Sequence, residues 1–338
     1  MRAWEIRSPD GVDALVLGER ETREPGPGEV RLRVRASAVN YRDLSTIENP
    51  EPRGIRYPTI PNSDAVGEVI AVGPGVTSIG VGERVASCFF QRWEDGAITP
   101  RAMASALGGA IDGVLAEEVV LSEEGVVPVP AHLDHAEAAT LPCAALTAWH
   151  AVVEYGALKP GESVLLLGTG GVSIFALQFS KLVGARVVLV SGSDEKIERA
   201  TALGADECVN YRAHPDWHEK VLAITDGAGV DLAVEVGGAG TLERSVAATR
   251  VSGRIALIGV LTGGEMNPVM IMRKSIRLQG IYVGSRAMFT RMNRAIALNR
   301  LAPIVDRRFA FDDARAAYHA MRAAGHFGKL VIDLGGDE

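Results

Sequence analysis

The stretch LLLGTGGVS, Leu165 to Ser173, has the residue types that let backbone amides approach a phosphate. It lies between an apolar strand pattern, SVLLL, and a helix-patterned run, SIFALQFSKLVGA. In such a strand–turn–helix the first glycine allows the tight turn and the second lets the backbone close on a pyrophosphate. The third lets the helix pack against the strand. Gly168 and Gly170 hold the first two places, Gly171 adds freedom, and Ser173, small but not glycine, takes the third. The helix that starts there aims its first amides at the phosphates. The spacing serves dinucleotide binding, with a purely structural turn as the alternative.

About twenty residues later, where an Asp or Glu would bond both ribose hydroxyls of NAD and repel a phosphate, VVLVSGSDEK offers Ser191. Ser191 and Ser193 can donate to a phosphate, and Lys196 lies one turn into the next helix. Tyr211 and Arg212, after the third strand, are placed to close the same pocket. The set favours NADP, with NAD the lesser expectation. Against it, Lys196 and Arg212 are equally readable as solvated charges, and Asp194 points inward if the turn bends differently.

The elements that must carry these residues follow from periodicity. EVRLRVRASAV (29–39), AVGEVIAVGPGV and VGERVASCFF alternate or run apolar as strands do, separated by Pro/Gly turns. Residues 1–125 are expected to form a β-rich domain. From PCAALTAWHAV onward, strands and helices alternate: SVLLLG, RVVLVSG, ECVNY, VDLAVEVGG and GRIALIGV are strands, with helices between them. That order calls for a doubly wound parallel sheet, placed at 126–286. SIRLQGIYVGS reads as its last strand. The segment 287–338 has no core of its own and is expected to return to the first domain. The fold class is therefore α/β.

Composition excludes other classes. At 338 residues the chain is long enough for two cores, and its 47% hydrophobic and 23% charged content is that of an ordinary globular protein. No run reaches the length of a membrane span and the N-terminus has no signal-peptide core. A net charge of −7 argues against nucleic-acid binding. Three scattered cysteines, Cys88, Cys143 and Cys208, point to a reducing compartment, so a cytoplasmic enzyme with a small-molecule substrate is expected.

The ordered motifs VNYRDL, DAVGEVIAVGPGV, VGERV, LPCAALTAWHAV, GESVLLLGTGGVS, ALGAD, GGAG and GHFGKLVIDL cover the whole chain. Together they resemble the medium-chain dehydrogenase/reductase superfamily, closest to its zinc-independent alcohol dehydrogenase-like and quinone oxidoreductase-like branch. The resemblance implies a GroES-like β-domain and a Rossmann domain. Zinc members hold their catalytic ion with Cys, His and Cys. The matching positions here are Asn40, Ser63 and Cys143, a set that cannot make a tight zinc site. The four-cysteine structural lobe is absent, its place taken by QRWEDGAITPRAMASALGGAIDG. No metal is expected.

The resemblance further places Asn40, Tyr41, Arg42 and Asp43 on the loop that faces the nicotinamide. Tyr41 or Arg42 would bond a substrate oxygen, Asn40 would help fix it, and Asp43 would orient the loop; a packed aromatic is the other account of Tyr41. Ser63 and Asp64 would sit at the mouth. Thr147 would back the ring, Val172 and Val260 would touch it, and Gly237 and Gly238 would let the adenosine pass. Lys329 either reaches the cleft or is an exposed turn lysine. Without a metal, polarisation must come from hydrogen-bond donors. Quinones and conjugated enones suit that, since hydride adds at the β-carbon and charge is delocalised. A zinc-free alcohol dehydrogenase is the alternative, and a catalytically idle cofactor-binding protein the third reading. LQGIYVG (278–284) as an apolar edge strand predicts a homodimer.

Overall fold

In the strand Glu29–Val39, Val30, Leu32 and Val34 are buried while the intervening Arg31, Arg33 and Arg35 turn outward, the two-residue period of a sheet with one covered face. It is the centre of a seven-stranded sheet. Across that sheet run Val305–Ala310, Lys329–Asp333, Glu29–Val39, Asp64–Val72, Arg84–Ser87 and Val126–Pro128, with Glu118–Ser122 also pairing on Glu29–Val39. The register sets Leu330 opposite Val39 and Asp64 opposite Ala38. Lys329, Asn40 and Asp64 are therefore brought to one end of three neighbouring strands.

This is the computed structural model of the chain, and it describes residues 1–259 and 261–335. Met1–Leu146 and the segment from Gly284 onward form one unit, and Thr147–Val283 a second. The first boundary lies about twenty residues beyond the expected position near residue 125. The reason is the helix His135–Ala139, whose buried Ala136, Ala138 and Ala139 pack on the strands Glu29–Val39 and Asp64–Val72. The C-terminal segment supplies two strands of the first sheet and the helix Ala314–Arg322, whose buried Tyr318 hydroxyl donates to Asn62 Oδ1 at 2.6 Å.

The second unit holds six parallel strands in the spatial order Glu207–Asn210, Arg186–Ser191, Ser163–Leu167, Val230–Glu235, Thr249–Leu257, Arg277–Gly280. Numbered along the chain this is 3-2-1-4-5-6, the doubly wound order whose switch point lies beyond the C-terminal ends of the first and fourth strands. The core is aliphatic, with Leu165, Val188, Val230, Ala233 and Ile255 all within 1% of full burial. One expectation is corrected here. The last strand ends at Gly280 rather than running through LQGIYVG: Ile281 and Val283 turn inward, and Val283 takes a left-handed φ of 55° that no strand accommodates. Among the described residues no helix is long and apolar enough to cross a membrane.

Tyr318→Phe leaves Asn62 Oδ1 without its buried donor and should lower the unfolding free energy by about 1–3 kcal/mol. The measurement is a urea titration, in which the midpoint falls and the slope is unchanged.

Candidate active site

In the second unit the turn after Ser163–Leu167 is shaped as its residues demand. Gly168 sits at φ +72°, a conformation L side chains resist. Gly170 is the N-cap of the helix Gly171–Val183, so the amides of that first turn, Gly171 and Val172 among them, have no acceptor within the helix. Ser173 occupies the third glycine's place without loosening it. Its buried hydroxyl donates to Leu167 O at 2.6 Å and ties the helix back to the strand end.

Beyond the second strand, Ser191 is buried and Ser193 is the N-cap of Asp194–Ala202, accepting from Lys196 N at 3.4 Å. Asp194 turns to Asn210, whose Nδ2 donates to it at 2.7 Å. Tyr211 is half-exposed over Gly192, where any Cβ would stand 2.5 Å from the phenol ring. Arg212 is exposed, its amide bonded to Asn210 Oδ1. Thr147 is buried in the helix Leu146–Trp149. Gly237 and Gly238 donate their amides to Glu235 Oε1 at 2.7 and 3.1 Å. Val260 lies outside the described residues.

Glu235 is a residue the sequence reading missed. Fully buried at the end of its strand, it accepts from those two amides and from Thr241 Oγ1 at 2.7 Å, with Ser245 Oγ on its other oxygen. It fixes the glycine turn at which the chain leaves the sheet. An acid followed directly by VGG at a strand end was the available signal.

In the first unit the candidates converge at the strand ends. Lys329, neither exposed nor in a turn, is the first residue of its strand and is buried. Its ammonium donates to Val39 O at 2.7 Å and Asn40 Oδ1 at 2.6 Å. Asn40 is the N-cap of the helix Tyr41–Glu48, and its backbone N–H donates to Asp43 Oδ2 at 2.9 Å, so Asp43 orients the turn. Arg42 Nη1 donates to Asp43 Oδ1, Leu107 O and Gly108 O while the guanidinium lies 4.7 Å over the Phe89 ring; it is a bracing group here. Tyr41, 48% exposed, stands outside this network.

Asp64 closes the cluster. Oδ1 accepts from Ser63 Oγ at 2.6 Å and Oδ2 from Cys143 N at 3.1 Å. The Asn40 amide lies beside this carboxylate and steadies its charge without a well-formed hydrogen bond, since Nδ2 has no partner among the described residues. Burial pushes the Asp64 carboxyl up to about 6, against the pull of the Lys329 ammonium and Ser63, with Asp43 adding to the rise. Burial pushes the Lys329 ammonium down, and Asp64 opposes that. The Cys143 thiol is driven far above its ordinary value by burial and by the Asp64 charge. Among the described residues no group of three or more His, Cys, Asp or Glu side chains is placed to hold a metal ion.

Comparison with known proteins gives consistent relatives. Residues 26–131 match the family described as alcohol dehydrogenase GroES-like domain, and residues 171–298 the family described as zinc-binding dehydrogenase. A zinc-type alcohol dehydrogenase-like protein of Schizosaccharomyces pombe is 38% identical over 335 residues, 96% of each chain. A 2-haloacrylate reductase of Burkholderia sp is 29% identical over 349 residues, 97% of each. A crystal structure from Sinorhizobium meliloti 1021, assigned as an alcohol dehydrogenase, is 41% identical with a TM-score of 0.92 over 98% of each chain. An NAD-dependent alcohol dehydrogenase structure is 34% identical with a TM-score of 0.91, over 99% of this chain and 100% of that one.

The raised Asp64 carboxyl makes a signed prediction. Its native value of about 6 lies above the unfolded value of about 4, so between those pH values the native state holds a proton that the unfolded state has lost. Its contribution to stability is full below about pH 4 and is lost as pH rises through about 6. In urea titrations across that range the stability of the wild type relative to Asp64→Asn should fall by on the order of 2 kcal/mol with rising pH. A difference that stays constant with pH places the proton elsewhere.

Proposed function

The chain belongs to the medium-chain dehydrogenase/reductase superfamily, and on that premise we propose a zinc-independent, NADP(H)-dependent reductase of quinones or α,β-unsaturated carbonyls. That it is an oxidoreductase follows from the family; metal, cofactor and substrate are this proposal's own. The observation that carries it is the donor set at the three positions where zinc members hold their ion. Asn40 Oδ1 is taken by the Lys329 ammonium and the Ser63 hydroxyl is spent on Asp64, which leaves the half-buried Cys143 thiol as the single soft donor of the three. Such a donor set does not fit zinc, which needs deprotonated thiolate or neutral imidazole.

The residues of the second unit suit a phosphate-bearing dinucleotide. Ser191 and Ser193 stand where NAD sites carry an acid, and the nearest carboxylate, Asp194, is engaged by Asn210. Bound there, the cofactor supplies the hydride. Among residues 41–43 Tyr41 is the one left to meet a substrate oxygen, because Arg42 and Asp43 are consumed by each other and by backbone. A hydroxyl donor suffices when charge spreads over a conjugated system, whereas an alkoxide asks for more. Similarity to a 2-haloacrylate reductase supports a conjugated acceptor. The second reading, an NAD-dependent alcohol dehydrogenase, is favoured by the 34% identical structure so described.

We also propose a homodimer joined through the edge strand Arg277–Gly280, near which Met270, Met272 and Tyr282 are exposed. Sedimentation should give twice the mass of one chain; a monomer at micromolar concentration removes this proposal.

The functional test is oxidation of NADPH and, separately, NADH against a panel of quinones and enones with chelator present. Turnover with NADPH, and a loss of about 10²-fold in kcat for Tyr41→Phe, are expected. Oxidation of simple alcohols with NAD, with the panel silent, selects the second reading.

A further inference from the structure

Lys329 is buried, yet among the described residues its ammonium closes no direct ion pair. It has two neutral acceptors, Val39 O and Asn40 Oδ1, and the Asp64 and Asp43 carboxylates act on it through space. A charge kept out of water on such terms is costly, and an apolar side chain of similar volume would not carry that cost. Its neighbours show what it holds. Asn40, Ser63 and Cys143 come from three separate segments, and each is bound into the Lys329–Asp64 couple: Asn40 by its Oδ1, Ser63 by its hydroxyl, Cys143 by its backbone amide. The next link is Asn40 itself, whose backbone N–H is fixed by Asp43 and which caps the helix that opens with Tyr41.

Resting on the metal-free reading above, we infer that Lys329 is the resident cation of this site, a positioning residue that ties together the three segments a metal would tie and so aims Tyr41. With its Oδ1 turned to the ammonium, the Asn40 amide presents Nδ2 to Asp64, and the turn 40–43 has one orientation. Removing the charge frees the amide to flip and the turn to loosen. A divalent metal is excluded by like charge as well as by the poor donor set.

The test replaces both charges, as Lys329→Met with Asp64→Asn, so that no buried charge is orphaned and the fold survives. In the full-length protein with NADPH, the double variant should melt within a few degrees of the wild type and keep the wild-type affinity for NADPH. Its kcat on the acceptor found active should drop by about 10²-fold, the loss expected for a misplaced donor. Tyr41→Phe added to it should then cost little more, because both changes remove the same contact. Unchanged kcat in the well-folded double variant makes Lys329 a packing residue and overturns the inference, as does stoichiometric zinc in the purified wild type. If the wild type turns over nothing, the functional reading has failed, and the inference is decided on the ¹⁵N-labelled Asn40 side-chain amide. Its two protons should be distinct and slowly exchanging in the wild type and averaged in the double variant; the same spectrum in both overturns it.

Discussion

An ammonium out of water has to be met by oxygens already held in place, and at the ends of three strands the backbone provides them. Val39 O is available to Lys329 because the ladder to Lys329–Asp333 begins one residue further on, with Leu330 opposite Val39. Asn40 follows at the point where the chain leaves the sheet and turns into a helix, so its side chain is delivered to the same spot. Asp64 arrives from the neighbouring strand through the pairing of Ala38 with Asp64. Shifting any of these strands by one residue would send one partner to the opposite face and leave a charge buried alone. The cluster and the register thus specify each other.

The second unit meets the same requirement with the opposite sign. Glu235 is a buried carboxyl group paired with no cation among the described residues and satisfied by two backbone amides and two hydroxyls. The glycine turn after it has its shape because the amides of Gly237 and Gly238 must point back to that carboxylate. At the neighbouring switch-point strand the polar groups run the other way, with the Ser173 hydroxyl donated to Leu167 O and the amides of the helix start left outward. Both strand ends are set by satisfying buried polar groups, and the first of them leaves the amides of the helix start Gly171–Val183 without acceptors inside the helix.

The second unit was legible because its signals are local. Glycines three residues apart, apolar strands and amphipathic helices each announce themselves within a dozen residues, and the strand order follows from their alternation. The cluster in the first unit was not legible, because Lys329 meets Asn40 across 289 residues and no spacing rule spans that distance. Residue type alone left Lys329 between a cleft and an exposed turn; burial and register decided it. Arg42 looked like a substrate group for the same reason, since nothing nearby in sequence reveals Leu107 O and Gly108 O as its acceptors. The domain boundary was misplaced because an alanine-rich helix has the same period whichever sheet it covers, and the last strand was overextended because apolar residues continue past the point where Val283 leaves the extended region.

The return of the C-terminal segment has a bearing on how the chain is made. The central strand Glu29–Val39 takes Lys329–Asp333 as one neighbour, and Lys329 is translated 290 residues after Val39. Every residue of the second unit is translated before it. Domains generally fold in order of emergence, but here the unit begun first is completed last. Until then the Asn40 end of its sheet waits with an open strand edge and an Asp64 lacking its cation. The second unit meanwhile folds the intervening chain and leaves the segment from Gly284 onward to find its place.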